Sequence, residues 1–317
     1  MKAFRLFLSA LVLLARVYSF SQSSFQVVPL GIRGGTDESN LSAYMLAPVG
    51  SNAFICLDAG TVHAGIEKAI ALKTFQEPPA IILRNYIKGF FISHGHLDHL
   101  AGMIINSPDD SAKNIYALPF VLDILKEKYF SWKSWSNFAD SGEAPLLKKY
   151  HYVVLDTATE TAIANTTMSV KTFVLSHSSP YRSSAFLIRH NENYVLYLGD
   201  TGSDTIEHSQ RLRQLWQSIA PLVNDKKLKG IFIETSFPDE QPVKQLFGHL
   251  TPQLLMNEMK VLSGFCKDVK VLDGFPVIIT HIKPNGNNEW KIKKELEKNN
   301  PLKLKLIFPQ QGKKMIL

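Results

Sequence analysis

The stretch FISHGHLDHLAG, residues 91–102, places four potential metal ligands within six positions. The apolar residues at its start predict a strand that runs directly into a His-rich loop. At an extended strand end the side chains i and i+2 point the same way, so we expect His94 and His96 to bind one ion together. The chain then turns into a helix, which directs Asp98 and His99 to a neighbouring point. The spacing therefore predicts two adjacent divalent ions.

Further ligands must come from other parts of the chain, because one loop cannot complete the shells of two ions. Three other apolar runs end in a suitable side chain, and these are His177, Asp200 and His281. Imidazole and carboxylate donors without thiolates favour Zn²⁺, with Mn²⁺ or Fe²⁺ as alternatives. We therefore predict two divalent metal ions, most simply zinc.

The order of apolar runs predicts the fold class. Strands and helices alternate, and no linker divides the chain. The predicted strands are 27–31, 53–57, 88–92, 152–155, 169–175, 185–189, 194–198, 230–233, 277–280 and 302–308, and the predicted helices are 61–72, 120–129, 206–222, 289–298 and one that begins at Thr251-Pro252. This pattern favours an α/β sandwich of mixed sheets with helices on the outside.

The first 21 residues have the features of a secretory signal peptide. Lys2 and Arg5 form a basic start, ten apolar residues follow, and small residues precede Gln22. Ten apolar residues are too few for a stable membrane-spanning helix. We therefore expect residues 1–21 to be a signal peptide and residues 22–317 to be one exported domain, periplasmic or secreted, without stable membrane insertion.

Composition and charge exclude several classes of protein. The chain has 317 residues, 45% of them hydrophobic and 20% charged, which excludes a collagen-like or wholly disordered protein. Residues 291–314 hold eight Lys against two Glu, a local basic face and not the broad stripe of a nucleic-acid binder. The two cysteines, Cys56 and Cys266, are too few for a disulfide framework, and we expect unpaired thiols.

Further motifs follow the His-rich loop in a fixed order. They are GDTG at 199–202, IETSFP at 233–238, FGHLTP at 247–252 and THIKP at 280–284. With the first motif, this order resembles the metallo-β-lactamase fold superfamily, and the fuller pattern resembles the class II cyclic nucleotide phosphodiesterases. The resemblance runs from about residue 57 to residue 284. It implies an αββα sandwich of two mixed sheets flanked by helices, and a small cyclic nucleotide as substrate.

The resemblance also assigns the metal ligands residue by residue. It implies that His94, His96 and His177 bind the first ion. It implies that Asp98, His99 and His281 bind the second ion, with Asp200 as the bridge. An Asp at the bridging position, where the commonest zinc β-lactamases have Cys, suits phosphodiester chemistry.

The predicted reaction is hydrolysis of 3′,5′-cyclic nucleotides to 5′-nucleoside monophosphates by a hydroxide shared between the two ions. Metal binding lowers the pKa of water from about 15.7 towards 7, so such a hydroxide exists at neutral pH. The departing ribose oxygen needs a proton, and His249 is our candidate acid, with Glu234 to orient it. We predict Asp98, His249 and Glu234 as catalytic residues, with Asp98 also a ligand.

Two alternatives stay open from the sequence. One is another hydrolase of the same fold, such as a lactonase, a sulfatase or a nuclease. The other is a metal-binding protein without turnover, although a structural zinc site is closed and usually rich in Cys. The sequence does not distinguish cAMP from cGMP, and it leaves a homodimer open.

Overall fold

Two seven-stranded β-sheets face each other in the computed structural model, which describes residues 24–317. The predicted signal peptide therefore lies outside the described residues. The first sheet has the order β14-β1-β2-β3-β4-β5-β6. Its strands are β1 (Phe25–Gly31), β2 (Ala43–Pro48), β3 (Phe54–Leu57), β4 (Ile87–Phe91), β5 (Lys113–Ala117), β6 (Tyr150–Val154) and β14 (Met315–Ile316).

The second sheet has the order β13-β12-β11-β10-β9-β8-β7. Its strands are β7 (Glu160–Ala162), β8 (Ser169–Ser176), β9 (Arg182–His190), β10 (Asn193–Leu198), β11 (Leu228–Glu234), β12 (Pro276–Thr280) and β13 (Lys305–Ile307). Both sheets are mixed, because β3 to β6 and β10 to β13 pair in parallel while the other neighbours are antiparallel. Carboxyl ends of parallel strands meet at one edge of each sheet, and polar side chains can converge there.

Helices cover the outer face of each sheet. They are α1 (His63–Ala71), α2 (Pro79–Ile81), α3 (Leu97–Asn106), α4 (Pro119–Ile124), α5 (Asp204–Glu207), α6 (Arg211–Asn224), α7 (Pro252–Phe265) and α8 (Asn288–Lys298). One apolar core lies between the sheets, and an outer core lies under the helices on each side. The αββα sandwich predicted from the sequence is confirmed. No helix in residues 24–317 has the length and apolar content to cross a bilayer.

Some predicted elements differ from the observed ones. The single helix expected over 206–222 is two helices, α5 and α6, because His208 takes a left-handed conformation with φ of 51°. The last predicted strand shrinks to β13. Sequence patterns missed β2, β5, β7 and β14; β2 has the sequence AYMLAP, whose Ala, Met and Leu do not favour a strand. Both cysteines are free, as expected.

Candidate metal centre

The predicted ligands lie at the ends of strands, at one edge of the sandwich. His94 follows β4, and α3 begins directly after His96, so that Asp98 lies in its first turn. His177 follows β8, Asp200 follows β10, and His281 follows β12. The first sheet thus contributes the His-rich loop and the second contributes the remaining ligands.

The first group of donors consists of His94, His96, His177 and Asp200, whose ligand atoms all lie within 4.8 Å of one another. Nε2 of His94 and Nε2 of His177 lie 3.0 Å and 3.4 Å from Nδ1 of His96. Oδ2 of Asp200 lies 3.8 Å from Nε2 of His94. Three imidazole nitrogens and one carboxylate oxygen thus converge on one point, which is the donor set of a divalent metal.

The second group consists of Asp98, His99 and His281, and the Asp200 carboxylate of the first group lies next to it. Nε2 of His281 lies 3.1 Å from both Oδ2 of Asp98 and Oδ2 of Asp200. Nε2 of His99 is buried without a hydrogen-bond partner, although Oδ2 of Asp200 and Oδ2 of Asp98 lie only 3.3 and 4.0 Å away. A buried nitrogen between two carboxylates that it does not bond fits a site for a cation. The donors present therefore suit two divalent ions.

Two glycines, Gly34 and Gly35, lie directly against this second group of donors. Any side chain on Gly34 would collide with the His281 ring, since a Cβ there would lie 2.2 Å from it. The N–H of Gly35 donates to Oδ2 of Asp98 at 2.9 Å. Gly34 and Gly35 lie in the loop between β1 and β2, and sequence analysis gave them no role.

A buried Asp orients the ligands of the first sheet. Oδ2 of Asp58 lies 2.7 Å from Nδ1 of His99 and accepts hydrogen bonds from Ser93 Oγ (2.8 Å) and Tyr197 OH (2.6 Å). Ser93 Oγ in turn lies 2.9 Å from Nδ1 of His94. One carboxylate therefore holds two ligands, one directly and one through a serine, and leaves their Nε2 atoms to the metal.

A buried Glu repeats this arrangement on the second sheet. Oε1 of Glu234 lies 2.8 Å from Nδ1 of His249, and Oε2 accepts a hydrogen bond from Ser236 Oγ at 2.5 Å. Ser236 Oγ lies 2.9 Å from Nδ1 of His281. The predicted pair of His249 and Glu234 is thus in contact. His249 also lies near Asp200, with 3.7 Å between Nδ1 and Oδ2, and forms a third donor group with Asp200 and His281.

A backbone carbonyl and a tyrosine ring contact the remaining two ligands, His177 and His96. Nδ1 of His177 lies 2.8 Å from the carbonyl oxygen of Gly248. The ring of His96, which is exposed, stacks on Tyr181 with 4.7 Å between centroids. No sequence pattern indicated Tyr181, Tyr197 or the two serines, because their roles depend on contacts between distant segments. Asp58 carried a weak signal, a carboxylate directly after an apolar strand.

The electrostatics divide the histidines into two kinds. Burial lowers the pKa of His94 well below its usual range. Partial desolvation, followed by the charge of His177, lowers the pKa of the more exposed His96 to about 4, so both are neutral lone-pair donors at neutral pH. Burial would also lower the pKa of His99, but the carboxylates of Asp200, Asp58 and Asp98 hold it well above its usual range. The three carboxylates make the surroundings of His99 negatively charged, and a bound cation would balance that charge.

Glu234 and His249, the predicted acid pair, shift each other's pKa. Burial alone would raise the pKa of Glu234, but His249 lowers it below its usual range. Burial would lower the pKa of His249, and Glu234 raises it above its usual range. These directions favour an ionised Glu234 beside a His249 that holds its proton.

The four remaining histidines lie away from the cluster of metal donors. His63, His151 and His208 are exposed and His190 is partly exposed.

Comparisons with known proteins identify the family and the fold of this chain. The family model of class-II cAMP phosphodiesterases matches residues 24–312. A 3′,5′-cyclic-nucleotide phosphodiesterase from Aliivibrio fischeri is 42% identical, over 93% of this chain and 94% of its own length. The crystal structure of unliganded yeast PDE1 has a TM-score of 0.84 at 22% identity, covering 93% of this chain and all of that one. A metallo-β-lactamase fold protein, YhfI from Bacillus subtilis, has a TM-score of 0.60 at 14% identity, with 93% and 100% coverage.

Removing the Asp200 carboxylate tests whether it acts on both donor groups. We expect Asp200→Ala to lose most of its bound metal, because the substitution removes a donor of the first group and the carboxylate that lies beside His99 and His281 of the second. Asp58→Asn keeps all predicted ligands but weakens the orientation of His99, so its metal affinity should fall about 10–100-fold. Metal per chain, measured by inductively coupled plasma mass spectrometry after dialysis against a chelator series, distinguishes the two.

Asp225→Ala, which removes an exposed carboxylate after the end of α6, is the control and should bind metal like the wild type. Retention of two ions by Asp200→Ala would show that Asp200 is not the bridge.

Proposed function

This chain belongs to the class II cAMP phosphodiesterase family, and on that premise we propose that it hydrolyses 3′,5′-cyclic nucleotides to 5′-nucleoside monophosphates at the Asp200-centred cluster. The observation that carries the proposal is that two groups of metal donors lie side by side, with the Asp200 carboxylate in the first group and within 3.3 Å of two histidines of the second, in a chain of this family. The family match favours this activity over a lactonase, a sulfatase, a nuclease or a metal-binding protein without turnover.

The residues of the cluster would hold two divalent ions. His94, His96 and His177 face one position, Asp98, His99 and His281 face the other, and Asp200 lies between them. When bound, the ions supply a nucleophile from water at neutral pH and offset the charge of the phosphodiester. Zinc is the metal we propose, since the donors are imidazoles and carboxylates without a thiolate.

His249 is suited to protonate the ribose 3′ oxygen as its bond to phosphorus breaks. It is buried, keeps a proton through its contact with Glu234, and lies beside Asp200. Glu234 fixes the ring through Nδ1, which leaves Nε2 as the atom that can meet the leaving group. Glu234 is itself fixed by the N–H groups of Thr201 and Leu250 at 3.0 and 3.2 Å. We assign acid catalysis to His249 and orientation to Glu234.

We also propose that the protein is exported, on the basis of the basic start and apolar run of residues 1–21. Expression of the full chain in a bacterial host, followed by N-terminal sequencing of the periplasmic fraction, should give a mature protein that begins at Gln22. An uncleaved Met1 on protein that stays in the cytoplasm would contradict export.

The acid role of His249 predicts a substrate-dependent loss of activity. His249→Ala should lower turnover of cAMP by about 10²–10⁴-fold, the range of a positioned general acid. A ribose alkoxide leaves badly without a proton, whereas p-nitrophenolate leaves unaided. The same variant should therefore lose much less activity on bis(p-nitrophenyl) phosphate. Steady-state kinetics on both substrates measure the difference.

Measuring the bound metal distinguishes His249 as a general acid from His249 as a metal ligand. If His249→Ala keeps both ions and shows the unequal losses, His249 is the acid. Equal losses on the two substrates would contradict acid catalysis, and loss of an ion would assign His249 to the third donor group. His63→Ala, which removes an exposed histidine at the start of α1, is the matched control and should retain wild-type kinetics.

A further inference from the structure

Lys283 is a charged side chain at the metal centre to which neither the ligand scheme nor the acid pair gives a role. It lies two residues after His281 and is partly buried. Its Nζ lies 5.8 Å from the centroid of the Phe237 ring. The Phe237 ring in turn contacts His249 edge-on, with 5.8 Å between centroids. Lys283 is thus connected to the proposed acid through one aromatic ring.

The same ammonium also borders the second donor group. A Cβ placed on Gly35 would lie 3.6 Å from Nζ of Lys283, and the N–H of Gly35 donates to Asp98. Nζ therefore lies close to Phe237, which contacts His249, and to Gly35, which contacts Asp98.

No carboxylate neutralises this ammonium in the part of the chain that the structure describes. Nζ of Lys283 has neither an ion pair within 4.0 Å nor a hydrogen bond among residues 24–317. Other lysines do find carboxylates, as Lys113 does at 2.7 Å from Asp110 and Lys227 at 2.6 Å from Glu192. A partly buried cation without a counter-ion favours an anion beside it.

We propose that Lys283 binds a non-bridging phosphate oxygen of the substrate and holds the phosphodiester between His249 and the ions. The proposal rests on the proposed function. A compact ammonium suits this task, because it attracts phosphate from any direction and imposes no planar geometry. The cation–π contact with Phe237 fixes where the charge lies. Since Lys283 contacts the phosphate in both the substrate and the transition state, it should act mainly on KM.

Lys283→Met tests the charge while keeping the apolar stem over Phe237. We expect KM to rise about 10–100-fold, the range of a charge-assisted hydrogen bond, with kcat within about threefold of the wild type. The rise should be equal for cAMP and cGMP, because both carry the same phosphate. Lys283→Arg should restore most of the loss. Lys298→Met, which removes an exposed lysine in the last turn of α8, should have wild-type KM.

Equilibrium binding gives a readout that does not depend on turnover. Isothermal titration of inorganic phosphate into the metal-loaded protein should show weaker binding by Lys283→Met than by the wild type, at unchanged metal content and thermal stability. Unchanged KM and phosphate affinity would overturn the proposal. Unequal KM changes for cAMP and cGMP would also overturn it, since they would indicate a contact with the base. Loss of metal would indicate a structural role.

Failure of the proposed function can be told apart from failure of this inference. If the wild type does not hydrolyse cyclic nucleotides but its phosphate binding still depends on Lys283, the proposed function is wrong and the anion site stands. If the wild type hydrolyses both cyclic nucleotides and Lys283→Met matches it throughout, only the inference is wrong.

Discussion

Oδ2 of Asp200 is the atom around which the site is arranged. Among the described residues, ring nitrogens of five histidines lie within 4.0 Å of it, and the closest belong to His281 and His99 at 3.1 and 3.3 Å. The Asp200 side chain is only 3% exposed. A buried carboxylate is costly unless cations or hydrogen bonds stabilise it. The strand ends that carry these histidines must therefore meet at one point, which requires both sheets to be in place.

Each sheet supplies one buried carboxylate that orients its own histidines. Asp58 contacts His99 directly and His94 through a serine, and Glu234 contacts His249 directly and His281 through a serine. The hydrogen bond from Tyr197 of the second sheet to Asp58 of the first connects the two halves. Because this hydrogen bond joins the two sheets, ligands that lie far apart in the sequence are held in fixed positions. The site can therefore be preorganised before substrate arrives.

The sequence predicted the parts of the site that depend on local pattern. The spacing of His94, His96, Asp98 and His99 follows from strand and helix periodicity, and the strand-end rule selected His177, Asp200 and His281. Tyr197 and Ser236 were not predictable, because each acts through a partner brought near by sheet packing. The fold class followed from the order of apolar runs, whereas the break between α5 and α6 depends on the backbone of one residue, His208, whose left-handed conformation no periodicity indicates.

We propose that cyclic nucleotide hydrolysis needs two ions in this cluster. The direct test is to remove all metal from the protein, add Zn²⁺ back in steps, and measure bound metal and cAMP hydrolysis on the same samples. We predict no turnover without metal and full turnover only as occupancy approaches two ions per chain. Hydrolysis by the metal-free protein, or full turnover at one ion per chain, would contradict it.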